Sequence, residues 1–288
     1  MIYSPTVLFR PRVLIIGPTR ELVTQIAKQA QMLVAGVGDK KKIKVANVYG
    51  GSQMSTQRYQ MIGADIMTAT TGRLMGFIRA HNNKVGMDLS CVDYLILDEA
   101  DRMLDMGFGS DIDFIHEQIT EQRKGNEKPI QTLMFSATFP QQVQDLARQK
   151  MKKDNYFVRI GDVGQASESV TQIFKSMAES TKMDLLEETL AEYELKRILI
   201  FINTKRTTDM VGVYLADTLS TKESPVKCMT MHGDRSQQER ETALRQFHSG
   251  EVAILVATDV VARGIDVRNV SLVINYDAPH EIDQYVHR

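Results

Sequence analysis

No tryptophan occurs in the 288 residues, and only two cysteines do. Cys91 and Cys228 lie far apart, each in or beside an apolar run, so they read as two reduced core thiols and not as a disulfide framework. No apolar run nears the ~18 residues a membrane span needs, and prolines and arginines enter Met1–Arg12 too early for a secretory signal. The histidines follow no metal-ligand spacing: His81, His116 and His248 read as surface residues, and His232 as part of a turn. The net charge of −1 excludes a generally cationic coat. A polyanion would have to be held locally, by arginines, hydroxyls and backbone amides. The Lys-rich stretch 39–44 reads as a solvated loop. Equally informative, no glycine is followed by lysine, so the phosphate-cradling Gly-x-x-x-x-Gly-Lys-Ser/Thr loop is missing.

What is present is a soluble globular composition, 43% hydrophobic and 25% charged, with enough chain for two domains. Short β-branched runs alternate with amphipathic stretches, the pattern of parallel α/β sheets. Strands are expected at 13–16, 44–49, 65–70, 92–97, 131–135 and 156–160, with helices over 21–33, 73–80, 112–122 and 141–151. Residues 161–169 lack periodicity and read as a connector. Beyond it strands are expected at 171–177, 198–202, 226–231, 252–257 and 270–275. Helices are expected there at 183–193, 207–219 and 237–247. The resulting division is a first unit over 1–162, a linker over 163–170 and a second unit over 171–288. Tyr49 and Phe201 read as core residues.

Two strand ends carry the chemistry. Asp98-Glu99-Ala100-Asp101 follows the run ending at Leu97, and Ser136-Ala137-Thr138 follows the run ending near Phe135. In open parallel sheets, ligands bind in the crevice outside that edge. Arg20 follows a strand at a helix start, where free amides and a guanidinium together suit a phosphate. Gly50-Gly51 either forms a tight turn or lets a backbone approach a ligand closely. Thr70, Gly72 and Arg73 repeat the strand-to-helix geometry, although Thr70 alone reads first as a helix cap.

Together with Pro18-Thr19-Arg20-Glu21-Leu22, Thr70-Thr71-Gly72-Arg73-Leu74, Phe201-Ile202-Asn203-Thr204-Lys205, Gln237-Gln238-Glu239-Arg240, Ala257-Thr258-Asp259 to Asp266 and Tyr285-Val286-His287-Arg288, these segments resemble the core of a DEAD-box ATP-dependent RNA helicase of the Vasa-like branch. The resemblance runs nearly end to end. It implies two RecA-like parallel-sheet domains in tandem, with ATP and Mg²⁺ as cofactors and RNA as partner. Asp98 would hold Mg²⁺ through water, Glu99 would polarise the attacking water, and Asp266 would reach the ATP ribose. Ser136 and Thr138 would couple the nucleotide site to RNA through Asp101. Thr19, Arg20, Gly50, Gly51, Thr70, Gly72 and Arg73 would contact the RNA backbone from the first domain, and Thr204, Gln237, Arg240 and Thr258 from the second. Such contacts imply weak sequence specificity and strong salt sensitivity. Placement would be cytoplasmic, or germ-granule or nuclear by analogy.

Thr71 stands where the family has proline, a small change at a helix start. Two departures are larger. The residues begin just before Pro-Thr-Arg-Glu-Leu, without the family's phosphate loop, and stop at Arg288, before its arginine fingers. Both domains would then be incomplete, the first without its phosphate-loop strand and the second without its end. The expectation is a helicase fragment inactive by itself, or alternatively a non-catalytic RNA-binding or interfering short product.

Overall fold

The computed structural model describes residues 9–36, 43–80, 87–126, 128–160, 170–219, 226–259 and 269–288. The chain divides into two compact units, Met1–Val163 and Gly164–Arg288.

In the first unit β1 (Val13–Gly17), β2 (Val45–Val48), β3 (Ile66–Thr70), β4 (Tyr94–Leu97) and β5 (Gln131–Met134) form one parallel sheet in the order β2-β3-β1-β4-β5. Every pairing is in register toward the carboxyl ends: Gly17 faces Thr70, Ile16 faces Leu97, and Leu97 faces Met134. Parallel neighbours require crossovers. These are supplied by α1 (Arg20–Ala35), α2 (Met54–Met61), α3 (Thr71–Arg79), α4 (Ala100–Asp105) and α5 (Gly109–Gln122), and α6 (Gln141–Lys150) follows β5. Leu14, Ile16, Met67, Ala69, Leu95 and Leu97 are buried in one core with Leu74, Phe77 and Ile115 from the helices. One face of β1, β2 and β4 is fully buried and the other is largely covered by helices, so their sequences carry little polar alternation.

The second unit repeats the plan with β6 (Ile198–Phe201), β7 (Cys228–Met231), β8 (Ile254–Ala257) and β9 (Leu272–Asn275), all parallel, in the order β7-β8-β6-β9. The central strands β6 and β8 are buried at every position, and the edge strand β9 alternates. Helices α7 (Lys182–Ala191), α8 (Lys205–Leu219), α9 (Gln237–Ser249) and α10 (Ile282–His287) complete it. The start of α9 is fixed by a capping box: Ser236 Oγ accepts from the Glu239 amide while the Glu239 carboxylate accepts from the Ser236 amide.

Several expectations are corrected. Residues 156–160 and 171–177 are not strands: Tyr156 and Ile160 are 90% and 93% exposed, and Phe174 is 81% exposed. Their β-branched and aromatic content reports fitness for a half-buried pleated surface, and neither stretch pairs with another strand. Helices α2, α4 and α10 are too short to show a period. Cys91 is exposed rather than in the core, because Val92 takes the buried position beside it. Cys228 is partly buried in β7, and desolvation there pushes its thiol up to about 12. Tyr49 is only half-buried, whereas Phe201 is fully buried. His116 is also half-buried, and desolvation lowers its pKa. Residues 39–42, the 161–169 connector, His81 and Asp266 lie outside the described residues. No described helix is long and apolar enough to cross a membrane.

Candidate functional site: two parallel-sheet edges

In the first unit the sheet order sorts the candidate residues. The ends of β1, β2 and β3 and the turns and helix starts that follow them carry Thr19, Arg20, Gly50, Gly51, Thr70, Gly72 and Arg73, and those following β4 and β5 carry Asp98, Glu99, Asp101, Ser136 and Thr138. Because all five strands are parallel and in register, both sets lie along one edge.

On the β4–β5 side, the Asp98 amide donates to Ile16 O at 2.9 Å, which extends the ladder by one bond before the chain turns. Glu99 then adopts a left-handed backbone, φ 52° and ψ 53°, at the N-cap of α4. A non-glycine residue there costs about 1–3 kcal/mol, and such strain gathers at functional sites. Its carboxylate meets Arg102 Nη1 at 3.2 Å, and that guanidinium is 1% exposed. Asp101 is 2% exposed and accepts from both the amide and the hydroxyl of Thr138, each at 2.8 Å. The Asp101 amide donates to Ser136 Oγ at 3.2 Å, and the Ala100 amide to Phe135 O at 3.0 Å. The loops after β4 and β5 are thus latched together through Asp101.

Asp98 is different. Burial pushes its carboxyl above the usual aspartate range, the Glu99 amide draws it partly back, and the Asp101 charge raises it. The fold therefore favours the protonated form: that stabilisation is full below the ordinary aspartate pKa and is lost as pH rises through the raised value. We expect Asp98→Asn to raise the thermal midpoint at neutral pH by about 2 °C without added metal, measurable by circular dichroism. An unchanged or lower midpoint would count against an underneutralised carboxylate. A partly buried carboxylate beside a second acid fits a hard divalent cation held through water, since Mg²⁺ keeps most of its waters and takes few protein ligands. Among the described residues, no group of three or more His, Cys, Asp or Glu side chains converges as a fuller metal set.

On the β2–β3–β1 side, Thr19 is buried and caps α1, accepting from the Leu22 amide. Thr70 occupies the N-cap position of α3 but makes no capping bond with its side chain, so the capping role expected of it is not seen. Thr71, in place of the family's proline, is buried as the first residue of α3. Gly51 has φ +87°, and a Cβ there would collide with the Arg20 guanidinium. Gly72 faces open space. Arg73 is engaged internally, with Nη1 donating to Gln57 Oε1 at 2.9 Å and Nη2 to Ser52 O at 3.0 Å. Gln57 went unnoticed in the sequence because a single glutamine in a weakly amphipathic stretch carries no signal.

In the second unit, Thr204 is exposed and accepts from the Thr207 amide at the start of α8. Gln237 and Arg240 meet within the first turn of α9, and the buried Thr258 follows β8 with its amide bonded to Met231 O. All four lie at the carboxyl edge of that sheet. Arg288, noticed in sequence only as part of a motif, is fully buried there and donates two bonds to Asp259, at 2.5 and 2.7 Å.

Against known proteins, the family model described as DEAD/DEAH box helicase matches residues 6–146, and the helicase conserved C-terminal domain matches 181–288. The probable ATP-dependent RNA helicase DDX4 of Pelophylax lessonae is 43% identical over 279 residues, covering 96% of this chain and 36% of that protein. Its Homo sapiens counterpart is 40% identical over the same span. The chain therefore spans little more than a third of the length of these curated relatives. Among solved structures, Mss116p bound to single-stranded RNA and AMP-PNP superposes with a TM-score of 0.83 at 28% identity, covering 99% of this chain and 57% of that one. Dbp5 of S. cerevisiae, bound to RNA and ADP BeF3, gives 0.76 at 27%, covering 97% and 67%. The motifs, the two parallel sheets and these matches agree: the chain belongs to the DEAD-box RNA helicase family, with relatives on the Vasa-like DDX4 branch.

Proposed function

We propose that these residues form the part of an ATP-dependent RNA helicase that orients the hydrolytic water and grips the RNA backbone. The observation that carries this reading is Glu99, held in a strained left-handed backbone at the carboxyl end of β4, between Asp98 and the latched Asp101. When bound, Mg²⁺–ATP would supply the phosphoryl group and its charge neutralisation. Asp98 would hold the metal through water, and Glu99, its carboxylate oriented by Arg102, would align and polarise a water. Asp101, Ser136 and Thr138 would transmit the state of that site along the edge. Asp266 would take the ribose. Thr19, Arg20, Gly50, Gly51, Thr70, Gly72 and Arg73 in one unit, and Thr204, Gln237, Arg240 and Thr258 in the other, would contact sugar and phosphate, giving salt-sensitive binding with little sequence preference.

The 288 residues hold no Gly-Lys pair, which favours a second reading in which they bind RNA without turnover. Phosphate release separates the two. The 288 residues alone should show no RNA-stimulated release above background, whereas a longer form with a Gly-Lys-Thr loop should show it. There Glu99→Gln should lower turnover about 10²-fold, the loss of one positioned proton acceptor. RNA-independent release, or release indifferent to Glu99→Gln, would reject the helicase assignment.

A further inference from the structure

The turn after β2 is held by a residue that no motif includes. Gln57 on α2 is 3% exposed, yet its side chain is polar. Its amide nitrogen donates to Tyr49 O at 2.9 Å and to Ser52 Oγ at 2.5 Å. Its amide oxygen accepts from Arg73 Nη1, and Arg73 Nη2 closes the circuit on Ser52 O. The ends of the Tyr49–Ser52 turn are thus pinned by one buried amide and one guanidinium, and the middle, with Gly51 at φ +87°, passes directly over the Arg20 guanidinium, which a Cβ at Gly51 would displace.

Only a side-chain amide meets this demand on one planar head: two donors toward the turn and an acceptor toward Arg73. Leucine would fill the space and satisfy none of it. Glutamate would keep the acceptor and lose both donors. Lysine would lack the acceptor. A solvent-facing helix needs no such residue, and burying an amide is costly unless its bonds are met.

We propose that Gln57 is the positioning residue for RNA binding by the first unit. It sets the height of Gly50-Gly51 above Arg20 and commits Arg73 to the same frame. The strand then meets the turn's backbone and the Arg20 charge as one preformed surface. This rests on the RNA-contact reading above.

The test uses the 288-residue chain and a fluorescein-labelled oligouridylate, with Kd read by anisotropy across a salt series and folding checked by thermal melts. Gln57→Leu should weaken binding about tenfold, as expected for loss of one charge-assisted contact. It should also make the log Kd against log salt line shallower by about 0.7, the share of one phosphate. Gln57→Glu, which keeps the Arg73 acceptor, should fall between Gln57→Leu and wild type. A merely structural role would lower the active fraction and the melting temperature while leaving the salt slope as it was, and that result overturns the proposal. So does a folded Gln57→Leu, or Gln57→Glu if the leucine variant unfolds, with wild-type Kd and slope. Wild-type protein that binds no RNA would reject the RNA reading itself.

Discussion

Replacing Arg288 with alanine should cost the second unit about 3–5 kcal/mol, the range for removing one partner from a buried ion pair. The guanidinium is fully buried and grips both oxygens of Asp259. It also donates to Asn203 Oδ1 and Asp277 O, each at 2.7 Å, and to Asn275 Oδ1 at 3.1 Å, while its carbon lies 5.3 Å from the Phe201 ring centre. These partners follow or end β8, β6 and β9, so one side chain joins three strand ends. A denaturant titration followed by far-ultraviolet circular dichroism should show the second unit's transition moving to much lower denaturant. The corresponding midpoint should fall by more than about 10 °C. Arg288→Lys should recover little, because an ammonium cannot reproduce a planar fork reaching several acceptors. A midpoint within about 2 °C of wild type would show that the three loops hold themselves.

Asp101→Ala should be comparably severe in the first unit, at about 2–5 kcal/mol, because it strands several buried donors at about 1–3 kcal/mol each. Two donors from Thr138 and one from the Arg102 amide converge on a carboxylate that is 2% exposed, and alanine leaves the Thr138 pair facing nothing. Asp101→Asn keeps the shape and forfeits charge, so it should cost less, about 1–3 kcal/mol. Amide hydrogen exchange localises the effect: the Thr138 amide should lose protection in both variants, more in the alanine one, while amides of β1 keep theirs. If Thr138 exchange and the unfolding midpoint stay at wild-type values in Asp101→Ala, the loops after β4 and β5 are not joined through this carboxylate.

Sequence and structure agree most closely where a residue's surroundings are set by its neighbours in the chain. β6 and β8 are legible because a strand buried at every position must be apolar throughout, and the helix expected at 237–247 is found as α9, Gln237–Ser249. Asp98, Glu99 and Ser136 were placed at a sheet edge because parallel strands put their carboxyl ends there. Residues 156–160 misled for the converse reason: a strand needs a partner, and its own composition cannot supply one. The left-handed backbone of Glu99, the buried amide of Gln57 and the reach of Arg288 across three loops depend on contacts far along the chain. No local pattern announces them.

The two thiols are chemically unequal. Cys91 is open to solvent, whereas the Cys228 thiol, with its pKa near 12, has almost no thiolate at neutral pH. A maleimide dye should therefore find a single address without any engineering of the chain. That address precedes β4 while Asp98 follows it, and seven residues of extended chain put about 20 Å between fluorophore and carboxylate. The natural sequence thus comes with its own attachment point for a spectroscopic reporter, at the opposite end of the strand from the groups it would watch.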